Sequence, residues 1–405
     1  MCWFLGSNSL WANNIRMSAP SKRHICFYQP KAYPVLANTT DPGFGGAEVK
    51  QVFVANALVS VGYEVTFLTN DFGQPEKSQI GGISIINLML DNSTNRRGSF
   101  YRMIYKLWKA MAAVNADIFV QRAAGAATGL IAAFCKITGR HFIYIVASSY
   151  DVDGGYLGQS SMRNRLLYRF GLAQSSLIIV QAKSFRKTLF DNHGLNSIFI
   201  RDGHEIPKSI EPFEYRRMIL FIGGTRPVKR PELFIELARR CPDLSFVIIG
   251  GPLVDKAYHK RIKNMAARVE NLDFKGHVPR PEIGTYLSRA YVLVNTSERE
   301  GLPNTVTEAW SYGTPVVSLS INPDELLSGY LGYYCENDFE QLLKRTRQLV
   351  IDNQLWNEMS RSCGEYAVEH HNIDNVRASF VAAIENLSFS KHNRVGNKRS
   401  AELNR

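Results

Sequence analysis

Twice along this chain, short apolar runs of strand length alternate with segments of helical periodicity, and the alternation breaks once. The first series runs from His24–Gln29 through Tyr63–Leu68, Asp117–Gln121, His141–Val146 and Leu177–Val180. The second runs from Met218–Ile222 through Leu244–Ile249, Leu272–Phe274, Tyr291–Val294 and Thr314–Leu319. Runs such as Phe246–Ile249 are apolar at every position, as in strands buried on both faces, and the intervening segments have room for crossover helices. Strand and helix in strict alternation predict α/β architecture with doubly wound parallel sheets. The break at Arg201–Pro212 carries Gly, two prolines and charges, and reads as a linker between two such units. At 405 residues the chain is too long for one ordinary core, which agrees with two.

The expected divisions are a leader over 1–20, an N-terminal Rossmann-like domain over 21–205 and a linker over 206–216. A C-terminal Rossmann-like domain follows over 217–374, then a helix over 375–389 that returns to the first domain, and a basic tail over 390–405. Met17 is an alternative start. No apolar run is long enough to span a bilayer, and the opening residues lack a signal peptide's basic and continuous apolar regions. The six cysteines show neither CxxC nor other metal spacing, which predicts reduced thiols and a cytoplasmic setting.

The net charge of +12 is unevenly placed. Residues 1–210 hold 22 Lys and Arg against 12 Asp and Glu; residues 211–405 hold 26 against 24. A basic first half suits an anionic membrane surface, an anionic substrate or nucleic acid. No nucleic-acid recognition motif or set of stacking aromatics accompanies it, so nucleic acid is not expected as a partner. Ser99–Val114 joins Arg102, Lys106 and Lys109 to Phe100, Tyr101, Tyr105 and Trp108. It reads either as an amphipathic helix lying on an anionic membrane or, more simply, as a helix packing its aromatic face into its own domain.

Doubly wound sheets bind ligands beyond the carboxyl ends of their strands, so the loops there are the candidate site. Three stand out. Gly43–Glu48 places Gly45 and Gly46 at a helix start, where backbone can approach a phosphate, although the spacing is not the dinucleotide fingerprint. Gly223–Pro231 places Gly224, Arg226 and Lys229 at the entry to another helix, a pair of cations able to clamp a diphosphate. Tyr291–Pro315 places Glu300 in a turn after an apolar strand. Pro303 stands just inside the next helix and Glu308 two helical turns beyond Glu300. Carboxylates cannot hold phosphate, but they accept from sugar and ribose hydroxyls. Together the loops supply what a nucleotide sugar needs.

The GGAE loop, RPVKRPELFIELA, FKGHV at 274–278 and EREGLPNTVTEAWSYGTPVV resemble the retaining family 4 (group 1) glycosyltransferases, which have the GT-B fold. The likeness covers most of 24–388 and is strongest over 217–320. It implies two Rossmann-like domains facing a cleft and transfer of a sugar from a nucleotide diphosphate donor with retention of anomeric configuration. The acceptor implied is a glycan or a lipid-linked glycan, in cell-surface polysaccharide synthesis at the inner membrane face. It implies that Glu300 binds donor-sugar hydroxyls, with the Gly301, Leu302, Pro303 and Asn304 backbone holding sugar and phosphate, and that Glu308 binds ribose. Arg226 and Lys229 would neutralise the leaving diphosphate without a metal or other cofactor. Gly45 and Gly46 would contact the donor from the opposite domain, and the turn at His277 and Val278 would receive the base.

Two departures stand out. Gly224 occupies the position where many members carry Arg, which leaves Arg226 as the nearest substitute. Ser148 to Asp153 replaces a His-Asp pair, which makes Asp151 and Asp153 candidates for the acceptor hydroxyl. A nucleotide-sugar epimerase on the same scaffold and a catalytically silent partner subunit are the alternatives.

Overall fold

The computed structural model describes residues 23–39, 46–90, 99–252, 255–300 and 302–393. Gly45, Gly301, the 1–20 leader and residues 394–405 lie outside these.

The first series forms an eight-stranded sheet. Its strands are β1 (His24–Tyr28), β2 (Glu64–Thr69), β3 (Lys77–Ile80), β4 (Ile83–Asn87), β5 (Ile118–Arg122), β6 (His141–Ile145), β7 (Leu177–Val180) and β8 (Ile198–Phe199). Their order is β3-β4-β2-β1-β5-β6-β7-β8, parallel except for the β3–β4 hairpin. That hairpin departs from the all-parallel expectation. Lys77–Ile80 alternates exposed and half-buried residues, as an edge strand does.

The second series forms a six-stranded parallel sheet. It consists of β9 (Met218–Ile222), β10 (Phe246–Ile249), β11 (Leu272–Gly276), β12 (Ala290–Asn295), β13 (Val316–Ser318) and β14 (Gly332–Tyr334), ordered β11-β10-β9-β12-β13-β14. Chain order reverses between β1 and β5 in one sheet and between β9 and β12 in the other. Loops diverge at such switch points and leave a crevice. The topology therefore brings the Gly223–Arg230 loop after β9 beside the turn after β12, and points both at the other domain.

The core lies between each sheet and its helices. Phe27, Phe67, Ile143 and Ile179 on one face of the first sheet meet Val376, Phe380, Val381 and Ile384 of the Ile373–Asn393 helix. The chain thus crosses back to its first domain. The two crossings run side by side: His204 bridges Asn372 in parallel, and its N–H donates to the His371 carbonyl at 2.7 Å. The 201–212 stretch, polar enough to read as a free linker, buries Asp202 and His204 completely enough to act as a joint. Among the described residues no helix is long and apolar enough to cross a membrane.

Candidate active site

A cavity of about 550 Å³ opens between the two sheets at their switch points. Gly223, Gly224, Arg226 and Lys229 line it from the loop after β9, and Glu300, Leu302, Pro303 and Asn304 from the turn after β12. His277 and Val278 line it after β11, and Gly46 faces them from the N-terminal domain. Loops read separately in the sequence thus form one wall-to-wall site.

The loop after β9 is held by its own arginine. Arg230 has a left-handed backbone, φ 47°. Its guanidinium donates to the carbonyls of Thr296 (2.7 Å) and Ser297 (3.3 Å) and to Ser320 Oγ (2.6 Å). Thr296 Oγ1 returns a bond to the Lys229 carbonyl at 2.7 Å. These ties lock the β9 and β12 loops together, and the Lys229 ammonium meets the Glu300 carboxylate, which also accepts from Ser297 Oγ. Lys229 carries three donors, so those not bound to Glu300 remain for a ligand. Arg226 stands exposed at the rim, with no ion pair to a described residue. Neighbouring backbone comes close as well. A Cβ on Gly250 would lie 1.9 Å from the Gly223 carbonyl, so the β9 and β10 loops meet only because that position is glycine.

The helix after the turn is Asn304–Ser311. Pro303 is its cap, with extended backbone (φ −66°, ψ 137°), just outside the helix rather than just inside it as the sequence suggests, and Gly313 ends it at φ 63°. Asn304 Nδ2 donates across the cleft to the Gly46 carbonyl at 2.9 Å. A Cβ on Gly46 would lie 2.6 Å from that same nitrogen. Glu308 is buried below this helix start, and its Oε1 pairs with Arg280 at 2.7 Å. Its Oε2 has no hydrogen-bond partner among the described residues. Burial pushes the Glu308 carboxyl up, against the pull of Arg280. A buried acceptor without a donor is costly, and a ligand hydroxyl would satisfy it.

Several residues here were invisible to sequence reasoning. Arg280 lines the cavity, pairs with Glu308 and stacks over Phe53 of the other domain, 5.7 Å from the ring centroid. Lys50 and Arg122 line the N-terminal wall, and buried Asp202 binds both, Arg122 at 3.4 Å. Burial pushes the Asp202 carboxyl up, but Lys50 and Arg122 outweigh it and hold the group below the usual carboxylate range. Nearby, burial pushes His371 down to about 4, and its Nδ1 meets the Asp202 carbonyl at 2.8 Å. These partners lie 28 to 227 residues apart in the chain, beyond any local motif.

The acceptor-side candidates fare differently. Asp151 does not reach the cavity. It is 4% exposed, and its carboxylate accepts from the Ala147 N–H at 2.7 Å and the Tyr144 hydroxyl at 3.1 Å. That carboxylate organises the loop after β6. Asp153 closes a local turn onto the Gly155 N–H at 2.8 Å. Ser148, two residues after the apolar run that ends at Val146, faces the cavity instead. Among the described residues no group of three His, Cys, Asp or Glu side chains is placed to hold a metal ion.

Comparison with known proteins places this geometry. The model for glycosyl transferases group 1 matches residues 202–370, which hold the second sheet and most of the cavity wall. A glycosyltransferase 1 domain-containing protein 1 of Xenopus tropicalis is 25% identical over 178 residues. That match covers 42% of this chain and half of the frog protein's length. An uncharacterized glycosyltransferase of Haemophilus influenzae is 22% identical over 333 residues, covering 78% of this chain and 90% of its own. Sucrose-phosphate synthase from Thermosynechococcus elongatus superposes with a TM-score of 0.75 at 15% identity, over 91% of this chain and all of that one. Anabaena HepE in complex with UDP-glucose superposes with a TM-score of 0.69 at 14% identity, over 90% and 99%. The fold is GT-B, and the matches support a glycosyltransferase of group 1.

Proposed function

We propose that this chain transfers a sugar from a nucleoside diphosphate sugar to an acceptor hydroxyl, with retention of anomeric configuration and without a metal. One observation carries the reading. Two cations and a carboxylate bound to one of them line the crevice, and Glu308, buried behind the lining residue Arg280, keeps one oxygen without a partner among the described residues. Lys229 and Arg226 offset the charge of the diphosphate as it leaves, with the free N–H groups at the Asn304–Ser311 helix start adding partial positive charge. Glu308 takes a ribose hydroxyl on Oε2. Glu300 takes hydroxyls of the transferred sugar and, being bound to Lys229 and Ser297, is engaged as a binding group rather than poised as a nucleophile. Attack from the face the diphosphate leaves is consistent with that engagement; the leaving phosphate then accepts the acceptor's proton. The structure of HepE holds UDP-glucose in a similar fold, which makes uridine the first base to try.

Calorimetry against UDP-, GDP-, ADP- and dTDP-sugars tests the proposal. One base binds, and Glu308→Gln weakens it by roughly 10- to 100-fold, the value of one hydrogen bond to a charged group. No binding by any of the four, or unchanged affinity in the variant, refutes the assignment.

We further propose that the protein works at an anionic membrane surface, where polysaccharide precursors are assembled. The Ser99–Val114 helix splits its aromatics. Trp108 packs inward, its indole N–H on the Leu130 carbonyl at 3.1 Å, whereas Tyr101 and Tyr105 stand 76% and 65% exposed. Met162, Leu166 and Phe170 project one turn apart from the Met162–Gln174 helix, and Ile137 from the Ala126–Thr138 helix. Cations join the three helices: Arg163 lies 3.7 Å from the Phe100 ring centroid and Lys136 lies 5.9 Å from that of Phe170. Exposed apolar tips ringed by Lys and Arg suit an anionic interface. Flotation with phosphatidylglycerol vesicles should carry the wild-type protein up. Tyr105→Glu with Leu166→Glu should reduce the floated fraction by roughly 5-fold or more. Equal flotation on purely zwitterionic vesicles would argue against the electrostatic part.

A further inference from the structure

The cavity wall at Glu300 is shared. Glu300 also lines a second cavity of about 600 Å³, a size usual for small-molecule sites. Ser149, Ser184 and Thr188 of the N-terminal domain form one side of it, and Asn322, Asp324 and Glu325 of the C-terminal domain the other. Ser148 lines the first cavity and Ser149 the second, so the two spaces abut between this serine pair and Glu300. We propose that this second cavity is the acceptor site and that it takes a neutral, hydroxyl-rich saccharide. The assignment rests on the donor reading above.

Geometry places the acceptor there. Transfer requires the acceptor oxygen within about 3–3.5 Å of the donor's reacting carbon, so the acceptor must occupy space that opens onto the sugar end of the donor cavity. Glu300, the residue assigned to the transferred sugar, is what the two spaces have in common. The cavity is also closed by both domains. Asp324 accepts from the Lys183 and Ser184 N–H groups, at 3.1 and 3.4 Å, and so caps the Lys183–His193 helix of the opposite domain.

Chemistry selects the class. The hydroxyls of Ser149 and Ser184, the Asn322 amide nitrogen and the Glu325 carboxylate make no hydrogen bond to a described residue, and all four line or border the space. They are short donors and acceptors of the kind that match sugar hydroxyls. The charge balance decides against an anionic acceptor. Glu300, Asp324 and Glu325 face the space against the single ammonium of Lys183. Three carboxylates repel a phosphate and accept from neutral hydroxyls. The basic character of residues 1–210 therefore does not extend to this wall.

The test is saturation-transfer NMR on the full-length protein, with and without the nucleoside diphosphate that calorimetry identifies. The probes are methyl α-glucoside, methyl N-acetyl-β-glucosaminide, maltose and glucose 6-phosphate at millimolar concentration. At least one neutral saccharide binds, and binds better than glucose 6-phosphate. Thr188→Trp, which fills the cavity from a half-buried helix position, weakens it roughly 10-fold or more by exclusion, and Glu325→Ala weakens it several-fold. Nucleotide affinity in both variants stays within 2-fold of wild type, which also shows that they are folded. Equal saccharide binding by Thr188→Trp, preference for the phosphate, or no saccharide binding by the nucleotide-loaded protein overturns the assignment. Failure of every nucleotide to bind overturns the donor reading instead, and this assignment with it.

Discussion

Lys229→Ala is expected to lower the rate of sugar transfer by about 10²- to 10³-fold at saturating donor, the usual cost of removing one preorganised charge from a developing anion. The effect should fall on turnover more than on donor binding. In the resting site the Lys229 ammonium already has a partner in Glu300, so its attraction to the bound donor is partly spent. In the proposed reaction the charge of the diphosphate grows as it departs, and Lys229 would be the cation held in place to meet it. Its backbone carbonyl is fastened by Thr296 and the following Arg230 by four oxygens, so no reorganisation is needed at that moment. Arg226, exposed at the rim and in no ion pair with a described residue, compensates only in part. The double variant with Arg226→Ala should fall to background. Lys229→Arg keeps charge but replaces a point donor with a fork, and should recover a fraction of the loss. Arg239→Ala, which breaks an exposed ion pair with Glu236, is the control and should leave turnover unchanged. A Lys229→Ala protein with more than a tenth of wild-type turnover would remove Lys229 from the chemistry.

The same site shows where sequence reading succeeds and where it stops. Strands such as Phe246–Ile249 and the Tyr291–Val294 part of β12 are legible because their burial leaves an unbroken apolar run. The Gly223–Pro231 and Glu300–Glu308 loops are legible because each packs its chemistry into a few consecutive residues. Arg280 is not. It looks like an ordinary charge at a helix start until tertiary packing sets it against Glu308 and Phe53. Asp202 and His204 look like part of the linker because a charge and an imidazole beside glycine suggest solvent exposure. The second chain crossing at 371–373 buries them, a fact that depends on residues some 170 positions away. Asp151 fails in the opposite direction. An acidic residue in a loop after a strand suggests a ligand group, but two buried tyrosines and the Ala147 N–H enclose it. Local pattern locates loops; it does not say which way a side chain turns.

Arg216→Met should destabilise the C-terminal domain by about 4 kcal/mol, the largest stability effect expected from a single site. Arg216 is fully buried and forms no ion pair with a carboxylate among the described residues. Its guanidinium donates to the carbonyls of Leu287 (3.1 Å), Ala290 (3.0 Å), Tyr312 (3.0 Å) and Glu211 (2.8 Å) and to Thr314 Oγ1 (2.9 Å), and stacks 4.6 Å from the Trp356 ring centroid. Burial pulls it down to about 10, so it stays charged at neutral pH. The carbonyls of Leu287, Ala290 and Tyr312 lie at the carboxyl ends of the Arg280–Arg289 and Asn304–Ser311 helices, where partial negative charge collects. Methionine fills the volume but leaves several carbonyls without a donor, at about 1–3 kcal/mol each, offset in part by the apolar side chain. Arg216→Lys, with charge but fewer donors, should fall between. Chemical denaturation measures the loss, and a value under about 1 kcal/mol would mean that water replaces the guanidinium freely. Donor affinity supplies the second readout. Arg216 precedes β9 at the amino ends of the strands, whereas the cavity lies at their carboxyl ends. The folded fraction of Arg216→Met should therefore bind nucleotide as the wild type does. Lys229→Ala should show the converse, unchanged stability with lost turnover. Correlated loss of both properties in either variant would show that the two ends of this sheet are not independent.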